Sequence, residues 1–141
     1  MSWLELLLRL AGVGQLALAA SHALFPRPLA WNEELARLSP ANRQIFWVHT
    51  YFIVLVLALF GALALFYAPD LMAPHSRLAR AVVGGHVVFW GFRLYAQLFI
   101  YSPDLWRGDI RRTRIHILFT VMWLSLTAVY ATVLLGQAKY P

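Results

Sequence analysis

The sequence predicts an all-α integral membrane protein: a four-helix bundle, up-down, with both termini on the non-cytoplasmic side. Three observations lead there. Of 141 residues, 61% are hydrophobic and 13% charged, at a mean hydropathy of +0.64, whereas an ordinary soluble domain carries roughly 25% charged residues. Four apolar runs, 4–25, 45–67, 81–101 and 115–136, contain 22, 23, 21 and 22 residues. Each matches the roughly 20 residues that a helix needs to cross the hydrocarbon core. Most of the charge and all seven prolines lie between or beyond these runs. The length bounds a single domain over 1–141, and the absence of cysteine excludes disulfides, thiolate metal sites and a Cys nucleophile.

The elements follow in order. The first span, 4–25, carries small-residue spacings between Ala17 and Ala23 that imitate a signal-peptidase site. Its flank is not clearly basic, because Glu5 offsets Arg9, and it outlasts a usual signal core, so it is expected to be retained. Pro26 and Pro28 end it. Trp31 to Leu38 reads as a short amphipathic helix on the membrane surface. Ser39-Pro40 supplies an N-cap hydroxyl followed by a proline suited to the first turn, so the second span covers about 41–67. Pro69 and Pro74 punctuate the next connection, the third span covers about 78–101, and Ser102-Pro103-Asp104 ends it. Asp109 caps the fourth span, about 110–136. No segment reads as a strand. Trp3, Trp31, Trp47, Trp106, Tyr67, Tyr101 and Tyr140 fall near the expected interfaces, where amphipathic rings anchor spans.

The net charge of +6 is a topology signal. The first and third connections carry Arg27, Arg37, Arg43, Arg107, Arg111, Arg112 and Arg114, against Arg77, Arg80 and Lys139 on the opposite side. Basic residues collect in short cytoplasmic connections, which puts both termini outside; the membrane is expected to be a bacterial plasma (inner) membrane, with an organellar inner membrane as the alternative. The same charge attracts anionic lipid head groups. Nucleic-acid binding is excluded, because no basic stripe alternates with stacking aromatics in a soluble module.

Polar groups inside spans carry the functional information, since ionisable side chains in hydrocarbon are expensive. Each span holds one histidine: His22, His49, His86 and His116. Counted from Arg27, Arg43 and Arg112 at the helical rise, His22, His49 and His116 share a level about 6 to 9 Å inside the cytoplasmic boundary. Gln97 occupies that level on the third span, while His86 belongs to the opposite leaflet. Spacings of three and four line up Thr113, His116, Thr120, Trp123, Thr127 and Tyr130 on the fourth span. They line up His86, Trp90, Arg93, Gln97 and Tyr101 on the third, and Gly12, Gln15, Ala19 and His22 on the first. A plain alternative is helix association, with Ser, Thr, Gln and His bonding across spans and glycines admitting close approach. Arg93 strains that alternative, because no acidic residue lies mid-span to balance it.

Three functional readings follow. The first is a haem-binding membrane redox protein, a small electron carrier or a quinol-linked oxidoreductase subunit. In an up-down bundle the second and fourth spans are diagonal, so His49 and His116 suit the two axial positions of haem b, with Arg93 toward the propionates and His22 and Gln97 beside the group. The second is a metalloprotein or enzyme in which His22, His49 and His116 hold a Zn, Cu or Fe ion and act on a lipophilic substrate such as a quinone. It lacks an HExxH pair and any carboxylate ligand deep in a span. The third is a non-catalytic subunit packed against a membrane-protein partner or a second copy. Phosphate loops and the GxSxG elbow are absent, which leaves catalysis itself open. Four spans with histidines in the helices resemble, in architecture alone, small b-type cytochromes and the membrane-anchor subunits of respiratory enzymes.

Overall fold

The computed structural model describes residues 1–26 and 29–139. Arg27, Pro28 and Tyr140, used above for orientation, helix ending and anchoring, lie outside the described residues. Helices and turns make up the described residues, with no strand among them. The elements are α1 Trp3–Ser21, α2 Trp31–Ala36, α3 Pro40–Phe66, α4 Ala68–Leu71, α5 Arg77–Tyr95 and α6 Ile110–Ala138. A π-helical turn, Ala96–Ile100, continues α5, and a 3-10 turn covers Pro103–Leu105. Among the described residues, α1, α3 and α6 are long and apolar enough to cross a membrane. This is a helical membrane protein. Arg77, Arg80 and Arg93 make α5 the least apolar of the long helices.

The chain divides into two compact units, Arg9–Ala68 and a second made of Met1–Leu8 with Pro69–Pro141. In the Arg9–Ala68 unit, α1 and α3 approach through glycine. A Cβ on Gly12 would stand 2.6 Å from the Leu65 nitrogen and 2.8 Å from the Gly61 oxygen. Only hydrogen fits there, which is how small residues let membrane helices meet. Pro69 has no N–H to offer the Leu65 carbonyl four residues earlier. Arg9 donates to that oxygen from α1 at 2.7 Å. Ser39 accepts from the Asn42 N–H and Pro40 takes the first helical position, so α3 starts where its cap dictates. On α2, Leu35 is buried, and Trp31 meets Phe46 and Trp47 edge-on at 5.0 and 5.9 Å.

In the other unit, α5 and α6 pack antiparallel. Arg80 donates to the Gln137 carbonyl, His86 lies against Tyr130 at 4.4 Å, and Trp90 stacks on Trp123 at 5.3 Å and 14°. The seam ends at Gln97 and His116. Val83, His86, Trp90, Trp123, Tyr130 and Val133 form its core. Ser76 caps α5 through the Ala79 N–H, and Asp109 caps α6 through the N–H groups of Arg111 and Arg112.

Candidate functional site

The polar end of the α5–α6 seam gathers three of the candidate residues. Arg93 and Gln97 sit four apart, so their side chains share one face of α5. Arg93 Nη1 donates to Gln97 Oε1 at 3.3 Å, and Trp123 Nε1 donates to the same oxygen at 3.3 Å. Two donors on one atom settle which end of the amide is oxygen. The amide nitrogen therefore faces His116 and donates to Nδ1 at 2.7 Å. With Nδ1 accepting, the proton of a neutral His116 ring resides on Nε2, so the ring presents an N–H donor at its far side.

Aromatic faces enclose this chain of bonds. The Trp106 indole lies flat on the His116 ring, with centroids 3.7 Å apart and 11° between planes. Thr113 Oγ1 stands 3.0 Å from the Trp106 carbonyl, fixing the connection that carries the indole to the start of α6. The Arg93 guanidinium lies 4.7 Å from the Trp123 ring centre and 5.4 Å from that of Tyr101, both within cation–π range. Phe119 stacks on Trp123 at 5.5 Å. Among the described residues no carboxylate pairs with Arg93; its partners are one amide oxygen and two ring faces. The π turn begins one residue before Gln97, and such turns gather at functional places in helices because they change which side chains face inward.

The other candidates are described within their own unit. His22 and His49 belong to the Arg9–Ala68 unit, whereas Arg93, Gln97 and His116 belong to the other. His22 is half-buried against Phe25 and donates from Nδ1 to the Leu18 carbonyl at 2.8 Å. His49 is exposed on α3. Among the described residues no three His, Cys, Asp or Glu side chains stand close enough to hold a metal ion. An axial bond from His116 Nε2 to haem iron needs the Nδ1 position protonated and the Gln97 oxygen turned toward it. Arg93 and Trp123 both donate to that oxygen and hold the amide the other way round.

The threonine stripe of α6 has a local role. Thr120 and Thr127 donate to the His116 and Trp123 carbonyls of their own helix, each at 2.8 Å, the usual return bond of a helical threonine. Trp123 and Tyr130 meet rings of α5 and His116 meets the π turn that follows it, while Thr127 turns its methyl toward Gly91, 4.0 Å from where a Cβ would stand. Sequence position gives Trp106 only an anchoring role, since nothing in helical spacing ties a connection residue to a histidine ten positions on. Compared with known families, curated proteins and solved structures, the chain matches none.

Proposed function

We propose that the chain is a four-span protein of the bacterial plasma (inner) membrane, with both termini non-cytoplasmic, that binds a quinone-type molecule as a quinol-linked subunit. One observation carries the binding: a guanidinium and an imidazole N–H, joined through Gln97, with no carboxylate on Arg93 among the described residues. Both groups donate hydrogen bonds, and the acceptor that suits them is the oxygen of a carbonyl or of the anion formed when a carbonyl is reduced. The surrounding indole and phenol faces suit a flat, apolar ring.

The four-span reading is supported by α5. Together with its π turn it covers 77–100, about 36 Å at the helical rise against a hydrocarbon core of about 30 Å. Arg80, His86 and Gln97 meet partners on α6, which is itself apolar enough to cross, and Arg93 lies over the α6 residue Trp123. Polar residues turned toward a neighbouring helix are what a span of modest hydropathy needs. Orientation rests on the basic residues around α2 and ahead of α6.

The test is titration of the protein in lipid nanodiscs with decylubiquinone, followed by tryptophan fluorescence. Arg93→Gln is expected to weaken binding tenfold or more, since a hydrogen bond to a charged group contributes about 1.5–3 kcal/mol and 1.4 kcal/mol is about tenfold; His116→Phe, which removes a neutral donor contributing about 0.5–1.5 kcal/mol, is expected to weaken it by about two- to tenfold. His49→Phe is expected to leave it unchanged. Equal affinity in all three variants sinks the reading.

A further inference from the structure

The connection into α6 ends in unbalanced charge. Arg107, Arg111, Arg112 and Arg114 lie close together in the chain, and all four are exposed. Asp109 stands among them, but its carboxylate is engaged. One oxygen accepts from the Arg111 and Arg112 N–H groups at 2.8 and 3.2 Å, and the other lies 3.4 Å from Arg112 Nε. The guanidinium groups of Arg107, Arg111 and Arg114 have no hydrogen-bond or ion-pair partner among the described residues. Arg111, Arg112 and Arg114 also occupy the opening turns of α6, whose first turn holds no acidic residue. That is the positive end of the helix dipole, where cations are unfavourable unless an anion offsets them.

The backbone beneath these charges is fixed. The N–H groups of Trp106 and Arg107 donate to the Pro103 carbonyl at 3.2 and 3.0 Å, and the Trp106 carbonyl accepts from the Asp109 N–H at 3.2 Å and from Thr113 Oγ1 at 3.0 Å. Gly108, at φ +80°, supplies the left-handed residue between the two bonded turns. Arg107 is therefore mounted on a turn that is tied to the start of α6. Arg111 and Arg114 are three apart and share a helix face. Ile115, Leu118 and Val121 continue that face along α6, each more than half exposed. We infer that this cluster binds the head group of a lipid carrying two phosphates, of the cardiolipin type, whose acyl chains lie along Ile115, Leu118 and Val121. The guanidinium fork pairs with phosphate oxygens. One phosphodiester balances one arginine, and a second on the same molecule reaches a neighbouring arginine without a separate association cost. Clusters of arginine beside a span hold anionic head groups in this way. The inference needs α6 to cross a membrane and is independent of the quinone reading.

Spin-labelled lipids in phosphatidylcholine bilayers measure the selectivity, since lipid held at the protein surface is motionally restricted. The native chain is expected to prefer labelled cardiolipin over labelled phosphatidylglycerol by about fivefold or more, the contribution of one basic residue at an anionic surface. Arg111→Gln combined with Arg114→Gln is expected to bring that preference below about twofold. Arg37→Gln combined with Arg43→Gln removes the same charge beside α2 and α3 and is expected to leave the preference unchanged. Because the Arg111 and Arg114 side chains have no partner in the fold, their replacement is expected to leave the unfolding temperature in phosphatidylcholine as it is in the native chain. Pyrophosphate in solution, two phosphates without acyl chains, is expected not to displace the labelled cardiolipin. Equal association of the two lipids with the native chain overturns the inference. So does an equal fall in both arginine pairs, which marks a diffuse surface charge, and so does displacement by pyrophosphate, which assigns the cluster to a soluble anion.

Discussion

The Gln97 amide nitrogen stands 2.7 Å from His116 Nδ1, and the direction of that hydrogen bond is set by Arg93 and Trp123 on the amide oxygen. A positively charged side chain thus determines, through one amide, which nitrogen of a histidine carries its proton.

The tautomer is directly observable. In ¹⁵N NMR of labelled protein at a pH where His116 is neutral, Nδ1 is expected to give the unprotonated-nitrogen signal. Gln97→Met removes the donor and is expected to shift the ring toward a mixture of tautomers. A native ring protonated at Nδ1 would contradict the bonding described here.

The glycine contact predicts a contrast between neighbours. Gly12→Ala places a methyl against the Leu65 and Gly61 backbones and is expected to cost about 1–3 kcal/mol, the usual range for overpacking. Gly14→Ala, with nothing within 4 Å of its Cβ, is expected to be neutral or slightly stabilising, since alanine is the better helix former. Reversible unfolding in mixed detergent and SDS measures both.

An oxidised-minus-reduced visible spectrum and metal analysis of the purified chain test what accompanies the quinone. The quinone site predicts binding that depends on Arg93 and His116 and is indifferent to His49. A reduced α-band lost in both His49→Ala and His116→Ala would establish haem b on those two residues. Stoichiometric Zn, Cu or Fe without such a band would establish an ion site.

Topology is open to single-cysteine labelling because the native chain has no cysteine. Ser2→Cys and Pro74→Cys, at exposed positions, are expected to react with an impermeant maleimide on intact cells. Asn32→Cys and Leu105→Cys, also exposed, are expected to react only after permeabilisation. The reverse pattern refutes the orientation.

Local chemistry made much of the fold legible. Ser39-Pro40 and Asp109 are short-range signals, and both act as helix caps where the sequence places them. Trp31 to Leu38 likewise contains α2. The grouping of Arg93, Gln97 and His116 was legible because α5 and α6 alternate polar with apolar residues, so spacing defines a face. On α3 apolar residues run all round the helix, leaving periodicity no face to report, and His49 proves exposed. The π turn arises from bonds five residues apart, such as the Tyr101 N–H to the Ala96 carbonyl at 3.2 Å, and no spacing of three or four encodes it. The direction of the Gln97 amide was equally hidden, since it depends on Trp123, a residue of another helix.

The bond from Arg9 to the Leu65 carbonyl limits how the chain can be taken apart. Pro69 leaves that carbonyl without its ordinary donor, and a residue nearly sixty positions earlier supplies one. A shortened version beginning at α3 would lose more than the hydrophobic mass of α1: its first span would end on a bare acceptor. The N-terminal helix is thus part of how α3 terminates, and designs that replace it with a generic leader or fusion helix must carry an equivalent cation at the matching depth.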